Sequence, residues 1–326
     1  MYHYNLQEWL LFFFIYCFLG WCWESCYVSA KKRQWVNRGF MKGPFLPIYG
    51  FGALSVLIAT LPVRPFPVLV FIFGMIGATA LELVTGICME KLFHVRYWDY
   101  SNQKFNFKGH ICLTSSIAWG AFSLAMIYGF HKPIEKLVLS IPFVWLDILT
   151  TVLTVIVAAD FAISFKTAME LRAILDSMER IKDEMKRLQK RAEVIEAFLA
   201  DDFHDAKENF KEEMLERKDN LMEGLQERKE NILEGIQERK EDAKAQLQEI
   251  REKQKYYLEK KKYSMSDNMA IANLLRRNPS AVSGRHALAF KEYRDKLIES
   301  IKREVGELTK TEEDAESAEN KKSENR

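Results

Sequence analysis

The chain divides at about residue 165 into a hydrophobic half and a highly charged half. Five long apolar stretches lie between Leu10 and Phe165, whereas acidic and basic residues alternate through 166–326. An apolar stretch of about 20 residues is long enough to span the hydrocarbon core of a membrane as a helix. The division predicts an all-α integral membrane protein, in which a five-span transmembrane bundle precedes a long helical or coiled-coil tail.

The two halves also differ in charge. Residues 1–165 contain 12 Lys and Arg against 8 Asp and Glu, whereas residues 166–326 contain 35 against 37. A tail that binds nucleic acid would carry a one-sided basic patch, so we expect no nucleic-acid partner. High charge combined with few aromatic residues predicts that the tail has no globular core of its own.

Motifs for metal binding, phosphate binding and catalysis are missing from the sequence. Its five cysteines lie in or beside apolar stretches and form no CxxC pair, so we interpret them as small buried residues. There is no GxxxxGK[ST] phosphate loop, no nucleophile elbow and no HExxH motif. We therefore expect no catalytic residues, no metal, no cofactor and no ATPase activity encoded in this chain.

The apolar stretches are expected to span the membrane at about residues 10–28, 45–61, 66–89, 111–130 and 137–165. The first is interpreted as a retained helix, because no basic segment or cleavage site accompanies it. The second is short and contains Pro47, Gly50 and Gly52 near its start. Such a segment is typical of a broken or re-entrant helix.

Basic residues in the loops predict the orientation. The first and third loops contain nine Lys and Arg, whereas the second and fourth contain three. Because cytoplasmic loops carry an excess of Lys and Arg, the first and third loops are placed inside. A multi-pass protein of the cell membrane follows, with its N-terminus outside and its tail in the cytoplasm.

The tail carries an internal repeat of eleven residues. Glu216-Arg217-Lys218 recurs as Glu227-Arg228-Lys229 and as Glu238-Arg239-Lys240. Eleven residues over three turns is about 3.67 per turn, which favours a straight or slightly right-handed helical coil. We expect three regions: a bundle (1–165), an amphipathic and coiled-coil helix (166–265), and a short helix with a disordered end (266–326). The repeat predicts a homo-oligomer or a partner helix bound through the tail.

Charged residues inside the predicted spans are the best functional candidates, because burying each one costs several kcal/mol. Helical rise places Glu24 and Glu82 at similar depth in the inner third of two parallel helices. They are expected to face one polar pocket together with Arg38 or Arg96, and Asp147 is the charge placed nearest to the middle of the membrane. The alternative is structural: the carboxylates pair with loop arginines or cap broken backbone.

Several strings near these charges resemble one family. They are Gly20-Trp21-Cys22-Trp23-Glu24, Arg38-Gly39-Phe40, Pro47-Ile48-Tyr49-Gly50-Phe51-Gly52, Glu82-Leu83-Val84-Thr85-Gly86, Arg96-Tyr97-Trp98-Asp99-Tyr100-Ser101, Gly109-His110-Ile111-Cys112 and Trp119-Gly120. Together they resemble the bacterial CmpB-type ABC-transporter permease family over about residues 8–165. The resemblance implies transport with a separate ATPase subunit. Asp99 and Asn106 lie in the third loop, which we expect to fold back onto the bundle.

Three functions remain open at this point. The first is a membrane permease or transport-related subunit, whose pocket contains the charged residues named above. The second is a membrane-anchored scaffold whose cytoplasmic coiled coil recruits partners. The third is an intramembrane enzyme that uses the carboxylates as acid and base on a lipid-linked substrate.

Overall fold

The computed structural model describes residues 4–216, 222–264 and 268–300, and this part of the chain is almost entirely helical. The helices are α1 (Leu6–Lys32), α2 (Pro47–Thr60), α3 (Pro67–Phe93), α4 (Leu113–Ala125), α5 (His131–Leu139), α6 (Phe143–Glu216), α7 (Met222–Ser264), α8 (Met269–Arg277) and α9 (287–300). A short antiparallel pair, β1 (Asn106–Phe107) and β2 (Ile111–Cys112), lies in the loop after α3. The predicted all-α class is confirmed.

Four helical stretches of the described chain are long and apolar enough to cross a membrane. They are α1, α3, the continuous run Leu113–Leu139 formed by α4, a π-helical turn and α5, and the apolar start of α6. A 27-residue helix is about 40 Å long, whereas the 14 residues of α2 extend only about 21 Å. The predicted count of five spans is therefore not confirmed, because α2 is shorter than the hydrocarbon core of about 30 Å.

Local sequence signals explain where these helices begin and end. Asn5 and Glu8 form reciprocal side-chain to backbone hydrogen bonds of 2.9 and 2.7 Å at the start of α1. This capping box satisfies two backbone donors that a helix N-terminus leaves unpaired. Pro47 and Pro67 occupy the first positions of α2 and α3, where the missing proline N–H costs nothing.

The chain between α1 and α2 runs back along α1 instead of leaving the bundle. We call residues 36–46 the folded-back segment. The backbone N–H of Val36 donates to Ser29 Oγ (2.9 Å), and that of Leu46 donates to the Cys17 carbonyl (3.1 Å). Those two acceptors are twelve residues apart on α1, or about 18 Å along its axis. Hence α2 begins deep in the bundle, as expected for a broken or re-entrant segment.

Small residues allow the helices of the bundle to approach closely. Gly20 of α1 lies against the Tyr49 ring of α2, and Gly74 of α3 lies against Ser123 of α4. A Cβ atom at either glycine would collide with these side chains. Packing through small residues is a typical basis for helix association in membranes.

The C-terminal residues pack on the end of the bundle at which α1 and α3 finish. We call residues 268–300 the docked segment; it consists of α8, a turn and α9. Described residues up to Leu175 and from 268 onward belong to one compact unit. The docked segment buries Ile271, Leu274, Phe290, Tyr293 and Leu297. The sequence predicted a short helix here but gave no sign of where it would bind.

Residues 176–266 form a second unit, which contains the distal part of α6 and all of α7. Leu188 and Ile250 are buried within the chain there. Hydrogen bonding to Lys253 lowers the pKa of Glu249, and the charge of Arg191 on α6 acts in the same direction. The two helices thus approach each other within this unit. The predicted coiled-coil association is not confirmed. Residues 217–221 of the repeat lie outside the described residues. The predicted disordered end after residue 300 also lies outside them.

Candidate functional site

Glu82 is a buried carboxylate in the C-terminal half of α3, and only 5% of the residue is exposed. Tyr100 donates its hydroxyl to Oε1 (3.0 Å), while Trp119 Nε1 (3.0 Å) and Ser115 Oγ (3.4 Å) donate to Oε2. Burial and the adjacent Glu82 charge both raise the pKa of Tyr100, so this hydroxyl stays a donor at neutral pH. Three neutral donors from two separate parts of the chain therefore hold the carboxylate in place.

Glu24 lies at the same end of the bundle, on α1. Its Oε1 accepts a 2.8 Å hydrogen bond from the Tyr49 hydroxyl, and its Oε2 lies 3.5 Å from Nε of Arg38. The side chains of Glu24 and Arg38 are 29% and 14% exposed, so the pair is partly screened by solvent. Arg38 reaches Glu24 because its own backbone N–H is fixed by Ser25 Oγ at 3.1 Å.

An aromatic contact joins the two carboxylates into one site. The rings of Tyr49, which binds Glu24, and Trp119, which binds Glu82, have centroids 6.0 Å apart. We call this group the polar cluster; its members are Glu24, Arg38, Tyr49, Glu82, Tyr100, Ser115 and Trp119. The structure thus brings together Glu24, Glu82 and Arg38, which the sequence had assigned to one pocket.

Arg96, in the loop after α3, belongs to a neighbouring network that is built around Glu90 of α3. Glu82 and Glu90 are eight residues apart, so both face the loop after α3. Arg96 Nε lies 2.8 Å from one Glu90 oxygen, and His110 Nε2 lies 3.1 Å from the other. Asp99 lies 3.9 Å from Arg96 Nη1. This network folds the third loop back onto the bundle, as the sequence predicted, but it leaves Arg96 paired with Glu90 instead of Glu82.

Two further candidate residues lie outside both the polar cluster and the Arg96 network. Asn106 fixes the loop around the β1–β2 turn: it donates to the Gln103 carbonyl at 2.8 Å and accepts from Gly109 N–H at 3.0 Å. Asp147 is exposed and accepts a 3.2 Å hydrogen bond from Gln7, at the opposite end of the bundle. The prediction that Asp147 lies nearest to the middle is wrong, because α6 begins at Phe143 and leaves it in the second turn.

The structure also reveals a carboxylate that was not among the candidates from the sequence. Asp160 of α6 accepts backbone hydrogen bonds from Lys42 (3.0 Å) and Gly43 (2.7 Å), and so fixes the folded-back segment. Tyr49 and Trp119 were not predicted as partners of the carboxylates either. Both lie in strings that carry the family resemblance, and that was the only sequence signal for them.

The docked segment binds the loops that carry the candidate arginines. Arg38 Nη1 donates to the Arg277 carbonyl (3.2 Å) and to Asn278 Oδ1 (3.3 Å), and its Nη2 donates to Ser280 Oγ (3.2 Å). Arg96 and Val282 exchange both backbone hydrogen bonds, at 2.7 and 2.9 Å. Arg38 therefore contacts the polar cluster and the docked segment at once.

Taken together, the polar cluster is a set of fixed oxygen acceptors and tyrosine hydroxyls inside an apolar helical bundle. Such groups bind cations, move protons or bind polar substrates, and in membrane spans they mark transport paths. They also serve to position broken backbone, as Asp160 does here. The geometry is compatible with either use.

The fold and its surface define the class of protein. Long apolar helices, which expose large side chains such as Ile76 of α3 and Val155 of α6, define a multi-span integral membrane protein. Residues 11–165 match the family described as "putative ABC-transporter type IV". The resemblance found in the sequence is thereby confirmed over the membrane half of the chain. No curated protein and no solved structure matches the chain.

Proposed function

We propose that the chain is a membrane permease, or transport-related subunit, that works with a separate ATPase and has no catalytic role of its own. The polar cluster lines its path for a cation, proton or polar substrate, with the end near Arg38 facing the cytoplasm. The supporting observation is that Glu24 and Glu82, on two different helices, accept hydrogen bonds from Tyr49 and Trp119, whose rings contact each other beside the folded-back segment. Half-helices with irregular backbone frequently form binding sites in transporters.

The family match and the loop charges support the same proposal. The family description names an ABC-type transporter; a transporter of that type works with an ATPase, and this sequence has no GxxxxGK[ST] phosphate loop. The two most basic loops lie together, because the Phe40 ring lies 5.6 Å from the Tyr97 ring. A shared basic end is expected to lie in the cytoplasm, where an ATPase subunit would bind.

The test is purification of the full-length protein from its native membranes, followed by measurement of ATP hydrolysis in the eluate. We expect an ATPase subunit to co-purify, and its activity per molecule of purified membrane protein to fall in Glu24→Gln and Glu82→Gln. Asp147→Asn is the matched control, because it changes a carboxylate of the same bundle outside the cluster. Absence of an ATPase, or equal losses in all three variants, would contradict the proposal.

The alternative is a membrane-anchored scaffold. It is favoured by the second unit, whose long helices expose alternating charges along much of the charged half of the chain. A scaffold would keep its function when residues 1–165 are replaced by an unrelated membrane anchor of matching orientation. A permease would lose its function completely in that exchange, so one experiment separates the two proposals.

A further inference from the structure

A basic cavity of about 800 Å³ lies where the docked segment meets the end of α1. Five cations line it: Lys32, Lys42, Arg276, Arg277 and Arg294. None of the lining residues is acidic. Among the described residues, the carboxylate that forms an ion pair with one of these cations is Asp295, which lies 3.9 Å from Arg294 Nε. A cavity of this size accommodates a small ligand, and its positive charge favours an anion.

Arg277 gives independent evidence for an anionic ligand. The residue is only 8% exposed, and its Nε has no hydrogen-bond partner among the described residues. Its Nη2 makes one long contact, 3.4 Å to the Phe40 carbonyl. Burial lowers the pKa of Arg277, and the charge of Asp160 acts in the opposite direction. A guanidinium nevertheless remains charged in proteins. A buried guanidinium with so few hydrogen bonds is costly, and a negative charge in the adjoining cavity, which Arg277 lines, would lower that cost.

The cavity also has an apolar side at the level of the membrane surface. Lys32 is the last residue of α1, the first membrane-crossing helix. Trp35 (68% exposed) and Ile298 (41% exposed) line the same cavity. Tryptophan and basic residues beside the end of a span are typical of the headgroup region, and basic pockets there bind phospholipid headgroups.

We propose that this cavity binds the phosphate headgroup of an anionic phospholipid. The phosphate lies against Arg277 and the rim cations, while the glycerol and the start of the acyl chains lie against Trp35 and Ile298. Because the docked segment supplies three of the five cations, the lipid also links that segment to the end of α1. The site is separate from the polar cluster and does not depend on a transport function.

The experiment is native mass spectrometry of the full-length protein in detergent, titrated with phosphatidylglycerol or with phosphatidylcholine of the same chains. We expect preferential binding of phosphatidylglycerol. Lys32→Gln with Arg276→Gln removes two exposed rim charges, neither of which has a partner among the described residues. At about 1 kcal/mol per cation, affinity should fall about 30-fold.

The matched control is Lys104→Gln with Lys108→Gln, which removes two exposed charges from the same end of the bundle outside the cavity. This variant should bind phosphatidylglycerol as the wild type does. Equal binding of both lipids, or an equal loss in the control, would overturn the proposal. Millimolar inorganic phosphate should leave the lipid bound; if it displaces the lipid, the cavity is a site for free phosphate and the lipid assignment is wrong.

Discussion

Replacement of Arg38 by Gln should release the docked segment while leaving the bundle folded. Arg38 is the one side chain described here that contacts Glu24 in the bundle and also donates three hydrogen bonds to the segment. The bundle retains its own apolar packing in the variant. The segment keeps its other contacts, among them the Asn278 amide to the Gly39 carbonyl at 2.9 Å. Opening should therefore be local.

The expected magnitude follows from those contacts. Hydrogen bonds from a charged donor contribute about 1.5–3 kcal/mol each, but these three are 3.2–3.3 Å long and partly exposed. We take about 1 kcal/mol for each; the ion pair with Glu24 lies within the bundle and does not contribute to docking. Since Gln recovers some hydrogen bonding, the net loss is about 2 kcal/mol, which raises the opening equilibrium roughly 30-fold.

Hydrogen exchange measured by mass spectrometry on the full-length protein provides the assay. The peptide around Val282 reports opening, because its N–H and carbonyl are both bonded to Arg96. Lys104→Gln, an exposed charge removed from the same end, is the control and should exchange as the wild type does. Unchanged protection around Val282 in Arg38→Gln would refute the reasoning, and lost protection throughout α3 would mean that the bundle itself depends on Arg38.

Three further predictions concern the same end of the protein. Glu24→Gln should lower the free energy of unfolding by no more than about 1–2 kcal/mol, because Arg38 keeps its other acceptors. Glu82→Gln should lower it by about 1–3 kcal/mol, because the new amide N–H₂ would face a buried indole N–H. Thermal unfolding of the two variants measures both losses. Membrane-impermeant thiol reagents should label Lys104→Cys from the cytoplasm and Lys132→Cys from outside. Burial and the charge of Arg96 lower the pKa of His110 in the folded protein. The neutral imidazole therefore contributes to stability above about pH 6.5, and this contribution is lost as the pH falls below that value. His110→Gln should reduce the loss of stability measured on acidification.

The two carboxylates of the polar cluster could be predicted because helical rise is uniform. Counting residues along α1 and α3 was enough to place Glu24 and Glu82 at one level. The same count failed for Asp147, since it assumed a helix that begins at Leu137. The chain instead breaks after Leu139 and α6 starts at Phe143.

The docked segment could not be predicted, for a different reason. Its contacts with Arg38 join residues 239 or more positions apart in the chain, and no local pattern encodes such a partner. Its apolar residues indicate that α8 and α9 bury a face, but they do not indicate against what. Asp160 was missed in a similar way, because its partners are backbone N–H groups of a segment whose path only the fold defines.

Docking of residues 268–300 means that the charged half of the chain leaves the bundle through α6 and is tied to it again near its end. The intervening 176–266 therefore act as a tether that keeps the local concentration of the docked segment high. A proteolytic cut in that tether would turn an intramolecular contact into a bimolecular one, which is far weaker at cellular concentrations. A fragment shortened to residues 1–165 would likewise leave Arg38 without three of its acceptors, so it is a poor substitute for the full chain in functional work.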